Sequence, residues 1–320
     1  MKVKFLPTHY HMKVWTLSLT FFISLIIAIF SGFYSIPKRR LTARWYPSTF
    51  AAKIFSGETK INPNTTSILN YILNKHILPP SRKPYNLTSS ISYSDDVIHR
   101  ESRLFEKLGI NNGIFVEYRA FDGLQASHTL NLELNASWTG LLIEPSPVLF
   151  QQLKNRHRLA WIANVCVSVY YPTMVYISGN QEDLKYSWED GTQTIYPPLS
   201  YRNSLLKIEN DDDDEHLYYK VECFPLSSIL WAMNITSIDF LTLQLDEHEF
   251  RVLEAFPFHT IHIKVVTLRH QSVPPENKDK IKMLMKRKGY ECIYQNSKYF
   301  LFLHRRYYSH LNIFWNNNND

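Results

Sequence analysis

Two acids, one within and one closing successive apolar segments, could carry chemistry in this chain. Glu117 sits in Ile114–Tyr118, a short β-prone run, and Phe121-Asp122-Gly123 follows with turn chemistry. Glu144 ends a second apolar run, Gly140–Ile143, and Pro145 stops it. Glu144 stands about 20 residues beyond the Asp122-Gly123 turn, where a nucleotide-type βαβ unit places an acid on ribose hydroxyls. Glu117, Asp122 and Gly123 would then form the first wall of a cofactor site, with Glu144 as the ribose contact. Group transfer at such a site also needs a positioned nucleophile and a base. Asp246 and His270 are the candidates at the same strand edge; the plainer alternative for both is a solvated or hydrogen-bonded strand end. The sequence holds no Ser-His-Asp, Cys-His or phosphate-loop pattern and no metal-ligand spacing.

The elements that would position these residues alternate. Asp96–Leu108 reads as a capped helix stopped by Gly109. After the Ile114–Tyr118 strand, Leu124–Leu134 can hold one apolar helical face, and a further helix runs from Pro147 to Arg158. Trp161–Tyr170 and Met174–Ser178 are expected strands. The acidic run Asn210–Glu215 reads as a solvated loop, because calcium binding would require alternating ligands and a turn glycine. Leu226–Met233 is a short helix, Ile238–Leu245 a core strand, Glu247–Phe256 a helix and Ile261–Leu268 a strand. Asn277–Lys288 is an amphipathic helix closed by Gly289. Tyr290–Tyr294 and Lys298–His304 form a terminal hairpin. Strands alternating with helices imply a mostly parallel sheet.

The chain has 320 residues, 45% of them hydrophobic, enough for one full core. Its net charge of +6 is spread along the sequence, without the basic stripe and interleaved aromatics of a nucleic-acid binder. Val14–Ile36 carries no charge and is long enough to span a bilayer; a cleaved signal peptide is the alternative. Lys2, Lys4 and Lys13 precede it, and Lys38, Arg39, Arg40 and Arg44 follow, so flanking charge does not fix orientation. Residues 37–95 hold six prolines without clear periodicity and read as a stem. Asn64 and Asn86 in that stem are glycosylation sequons, as are Asn135 and Asn234 further on. The three cysteines are Cys166, Cys223 and Cys292. In an oxidising compartment two of them could pair; three free thiols are the alternative.

The motif series Phe115-Val116-Glu117, Ala120, Asp122-Gly123, Leu132-Glu133, Trp138 and Gly140-Leu141-Leu142-Ile143-Glu144-Pro145, then Cys223-Phe224-Pro225-Leu226 and Ile238-Asp239-Phe240-Leu241, resembles the FkbM-type methyltransferase domain. It is most similar to the animal Star protein family within that group. The resemblance covers about Glu101 to His304. It implies an α/β, Rossmann-like S-adenosylmethionine methyltransferase fold, mostly parallel with a C-terminal antiparallel hairpin, plus one N-terminal transmembrane helix. The implied organisation is a cytosolic tail (1–13), a membrane helix (14–36), a stem (37–95), a luminal methyltransferase-like domain (96–306) and a disordered tail (307–320). It also favours a Cys166–Cys223 disulfide, since both lie in matching segments.

The sequence departs from the family pattern at the pocket. Arg119 replaces a glycine that lets the backbone approach the cofactor. Gln244-Leu245-Asp246-Glu247 replaces D-V-E-G, and Leu268-Arg269-His270 reverses a charge. These changes imply a pocket that binds no cofactor and a non-catalytic domain. The resemblance then implies movement of membrane-tethered growth-factor precursors of the epidermal growth factor type from the endoplasmic reticulum towards the Golgi and endosomes. Its partners would be that transmembrane cargo and the membrane, with no nucleic acid. The competing expectation is an S-adenosylmethionine-dependent O-methyltransferase.

Overall fold

The computed structural model describes residues 48–55, 61–87, 96–178, 205–209, 215–245 and 248–310. The chain divides into two units, Met1–Arg40 and Leu41–Asp320, and every described residue belongs to the second. Residues 14–36, the acids at 211–214, Asp246, Glu247 and the Asn-rich terminus lie outside the described residues. No described helix is long and apolar enough to cross a membrane.

Eight strands form the main sheet. In chain order they are β1 (Ile77–Leu78), β2 (Ile114–Tyr118), β3 (Thr139–Ile143), β4 (Trp161–Ala163), β9 (Ser237–Leu243), β10 (His262–Arg269), β11 (Tyr290–Gln295) and β12 (Tyr299–His304). Their spatial order is β1-β4-β3-β2-β9-β10-β12-β11. β4, β3, β2, β9 and β10 run parallel, whereas β1 and the β11–β12 hairpin are antiparallel. The order reverses between β2 and β9, and open α/β sheets bind ligands at the carboxyl ends of the strands beside such a switch. The mostly parallel sheet and terminal hairpin are therefore present, with β1 as an additional edge strand.

Apolar side chains cover both faces. One layer includes Val116, Leu141, Leu241 and Val266; the other includes Phe115, Leu142, Phe240 and Val265. Alternation along each strand assigns them to opposite faces. Gly140 in β3 is a required glycine: a Cβ there would collide with the backbone carbonyl of Phe115 on β2.

Residues 48–55 and 61–87 of the segment expected to be a stem are part of the fold. Helices α1 (Ser48–Phe55) and α2 (Thr66–His76) bury Ile54, Ile68, Tyr71 and Ile72 in the first layer, and β1 extends the sheet. Tyr71, Lys75 and His76 converge on Glu222: Tyr71 Oη and His76 Nε2 approach Glu222 Oε2 at 2.9 and 2.7 Å, and Lys75 Nζ approaches Oε1 at 2.5 Å. Pro63, Pro79, Pro80 and Pro84 punctuate the described part of this segment without unfolding it. At the other end, a 3₁₀ turn spans Arg305–His310, past the expected boundary at 306; residues 311–320 lie outside the described residues.

Helices α3 (Asp96–Lys107), α4 (Leu130–Ala136), α5 (Pro147–Asn155), α6 (Leu226–Ala232), α7 (Glu249–Ala255) and α8 (Pro275–Arg287) complete the layers. Ser146 caps α5, its Oγ accepting from the Leu149 N–H, and Pro147 takes the first turn. The expected strand Trp161–Tyr170 is two strands. β4 stays in the main sheet, and β5 (Cys166–Ser168) joins a second sheet with β6 (Thr173–Ser178), β7 (Leu205–Glu209) and β8 (Glu215–Pro225). Glu215, assigned to an acidic loop from sequence, opens β8. Cys166 and Cys223 are register partners on β5 and β8 and form a disulfide, with Cα atoms 4.3 Å apart.

Candidate functional site

The candidate site lies where β2 and β3 end. From Arg119 onward the chain turns sharply, and Arg119, Phe121 and Gly123 have φ of 63°, 50° and 75°. Only Gly123 adopts this left-handed conformation without steric cost; each of the other two carries roughly 1–2 kcal/mol of strain. Neighbouring strand β3 holds the turn, since the N–H groups of Arg119 and Ala120 both donate to the Ile143 carbonyl, at 2.9 and 3.1 Å. At Gly123 a Cβ would also strike the Leu153 side chain, so packing and φ both require glycine there. An arginine and a phenylalanine thus occupy left-handed positions in this turn.

Glu144 lies at the floor of this turn and is 1% exposed. Its Oε2 accepts from the Phe121 N–H and its Oε1 from the Ser146 N–H, each at 2.8 Å. Burial pushes its carboxyl up to about 7, against the two backbone hydrogen bonds and the positive charge of Arg119, which favour the ionised form. The Arg119 guanidinium carbon is 5.2 Å from the Phe121 ring centroid. The expected ribose contact therefore spends both oxygens on the protein's own backbone.

The other wall residues are also structural. Asp122 Oδ1 accepts from the N–H groups of Leu124 and Gln125, and Oδ2 pairs with Arg156 at 2.5 Å. Glu117, 3% exposed, accepts from Ser127 Oγ and the His128 N–H, both at 3.0 Å, and from Thr129 Oγ1. These bonds explain the main departure in this region. The expected helix Leu124–Leu134 is realised only from Leu130, because residues 127–129 fold onto Glu117 instead of continuing a helical ladder.

A second set of buried polar groups, not anticipated from sequence, fastens this loop. Arg158, 2% exposed, donates to Glu133, the Gly123 carbonyl, Ser127 Oγ and Thr129 Oγ1. Glu133 also accepts from the Leu159 N–H and Tyr85 Oη. The expected helix through Arg158 stops at Asn155, since His157 turns at φ 55° and sends Arg158 inward. Glu101, fully buried, accepts from Thr267 Oγ1 and pairs with His128 Nδ1 at 2.8 Å. Glu117, Thr242 and Thr267 are cross-strand neighbours on β2, β9 and β10, so this polar row lies on one sheet face beneath the strand ends.

His270, the described acid–base candidate, does not assemble with Glu144. His270 follows β10, three strand spacings from the end of β3, or about 14 Å at the usual spacing. It is 2% exposed, donates from Nε2 to the Asn296 carbonyl at 3.0 Å, and stacks on Phe300 at 3.8 Å. Burial holds its pKa below the ordinary histidine value. This is the packing of a strand end against the terminal hairpin. Gln244 is described just after β9, whereas Asp246 and Glu247 fall outside the described residues. Glu249, in the first turn of α7, accepts from the Leu245 N–H at 2.9 Å and so ties the preceding loop to the helix. Asn64 is exposed, and the Asn86 side-chain amide donates to the Asn155 carbonyl. No group of metal-ligating side chains occurs among the described residues.

The methyltransferase FkbM domain model matches residues 109–292. No curated protein matches the chain. Similar solved structures include a Pyrococcus horikoshii protein described as an RNA methyltransferase and precorrin-6y C5,15-methyltransferase from Geobacter metallireducens. The first shares 11% identity over 74% of this chain and 95% of that one, with a TM-score of 0.35. The second shares 10% over 68% and 92%, with a TM-score of 0.33.

Proposed function

The chain belongs to the methyltransferase FkbM domain family, and on that premise we propose that its domain works by binding and not by methyl transfer. The observation that carries this reading is the double occupation of Glu144: buried, and bonded through both oxygens to Phe121 and Ser146. The residues as arranged do not fit S-adenosylmethionine, because Glu144 is 1% exposed and a ribose could reach its carboxyl only if the residues packed over it moved. No catalytic step is derived through the cofactor.

The finer reading is a Star-like, single-pass type II membrane protein. Residues 14–36 anchor it, the domain is luminal, and it assists transport of membrane-tethered epidermal growth factor-type precursors from the endoplasmic reticulum to the Golgi and endosomes. Support comes from the sequence: an uncharged run of membrane-spanning length, a motif series resembling that family, and sequons at Asn64 and Asn86. A mobility shift on N-glycosidase treatment supports the orientation; protease access to the domain from the cytosolic side of sealed microsomes contradicts it. The functional test is surface delivery of a growth-factor precursor in cells expressing the chain. Glu144→Gln should leave delivery intact and deletion of 14–36 should abolish it. Loss of delivery by a folded, correctly located Glu144→Gln protein sinks the binding-only reading.

The second reading is an S-adenosylmethionine-dependent O-methyltransferase. It is favoured by the retained strand order and by the position of Glu144 at the end of the second parallel strand.

A further inference from the structure

A second site lies at the opposite end of the sheet. α5 runs back from the Glu144 edge, and the chain leaving β1 runs antiparallel to β4. Between the end of α5, the start of β4 and residues 79–83 opens a cleft of about 430 Å³, within the size range of small-molecule sites. Leu78, Leu153, Ala160 and Ile162 supply its apolar lining. Arg82, Lys83 and Lys154 supply exposed cations, and no carboxylate lines it.

Those cations have no structural assignment. None of the ion pairs among the described residues involves Arg82, Lys83 or Lys154. Basic residues at a helix end often serve its last carbonyls. Here Asn86 does that work: its side-chain amide donates to the Asn155 carbonyl and its N–H to the Arg156 carbonyl. The Ser81 N–H similarly takes the Arg158 carbonyl. His157 Nδ1 donates to the Pro84 carbonyl at 3.0 Å, fixing the strap that forms one wall. The cleft is therefore preformed, with three exposed cations among the residues that line it. Holding like charges together costs free energy, and an anion among them would recover it.

We infer that this cleft binds a phosphate- or sulfate-type oxyanion, either free or as an ester whose apolar body lies on Leu78 and Ile162. Arg82 offers the forked donor suited to an oxyanion, and the two lysines offer point charges. The site is independent of Glu144 and of whether the domain is catalytic.

The test is calorimetric titration of the full chain, in a non-ionic detergent, with inorganic phosphate and separately with phenyl phosphate. Saturable binding of either, weakened at least tenfold in a Lys83→Gln/Lys154→Gln variant and restored by Lys83→Arg/Lys154→Arg, supports the inference. Tenfold tighter binding of phenyl phosphate assigns the ester; equal binding assigns the free oxyanion. Both lysines are exposed and make no ion pair among the described residues, so the thermal midpoint without ligand should not fall in the glutamine variant. Absence of saturable binding by both probes, or binding unaffected by the glutamines, overturns it.

Discussion

Removing the Glu222 carboxylate tests whether residues 66–76 belong to the fold. Desolvation by itself would raise this acid, but the hydrogen bonds and charges of His76 and Lys75 outweigh burial and hold it at about 2, against an ordinary 4.5. Because the folded-state value is depressed, its stabilisation is complete above about pH 4.5 and is lost as pH falls through about 2. A shift of that size is worth roughly 3 kcal/mol at neutral pH and about half of that at pH 3. Glu222→Gln should therefore lower unfolding stability by roughly 3 kcal/mol at pH 7, with the gap from the parent protein narrowing towards pH 3. Urea unfolding followed by tryptophan fluorescence at both pH values reads the difference directly. A gap below about 0.5 kcal/mol at pH 7 would show that the α2 clamp is not formed. A gap of equal size at both pH values would show that its stabilisation is not ionic.

Three further changes test the scaffold under the site. Gly140→Ala should cost about 3 kcal/mol, because the new methyl meets the Phe115 carbonyl and β2 and β3 must part; a neutral thermal melt would refute that close approach. Arg158→Met leaves Glu133 buried without its cation and should cost about 3–5 kcal/mol, with faster amide exchange across residues 123–129; unchanged exchange there would separate Arg158 from the loop. The Cys166→Ser/Cys223→Ser variant releases a loop spanning 57 residues and should lose about 4 kcal/mol in the loop-entropy account; an unchanged urea midpoint would contradict it.

The parallel strands were legible because they are short, continuously apolar runs bounded by turn residues, and Glu144 was placed at its strand end by the same pattern. The helix expected over Leu124–Leu134 was misjudged because its apolar spacing ignores Glu117, whose carboxylate diverts Ser127, His128 and Thr129 from helical bonding. A signal for the buried network did exist. Glu101 lies in the apolar stripe of α3 formed by Val97, Ile98, Leu104 and Phe105, where an acid is costly unless paired. Its partners come from residues 27 and 166 positions away, so periodicity could not identify them. The described part of the stem was misread for a related reason: Pro63, Pro79 and Pro80 mark its non-helical links, while α1 and α2 take their stability from burial against the sheet. The second sheet escaped notice because β5 follows β4 after only Asn164 and Val165, so the two read as one strand.

The most direct measurement is calorimetric titration of S-adenosylmethionine into the purified full chain at neutral pH. Glu144 bonded through both oxygens, with Arg119 beside it, predicts no saturable heat up to millimolar cofactor. Micromolar affinity that is lost in Glu144→Gln would contradict the account, and would show that Phe121 and Arg119 yield the carboxylate to a ribose.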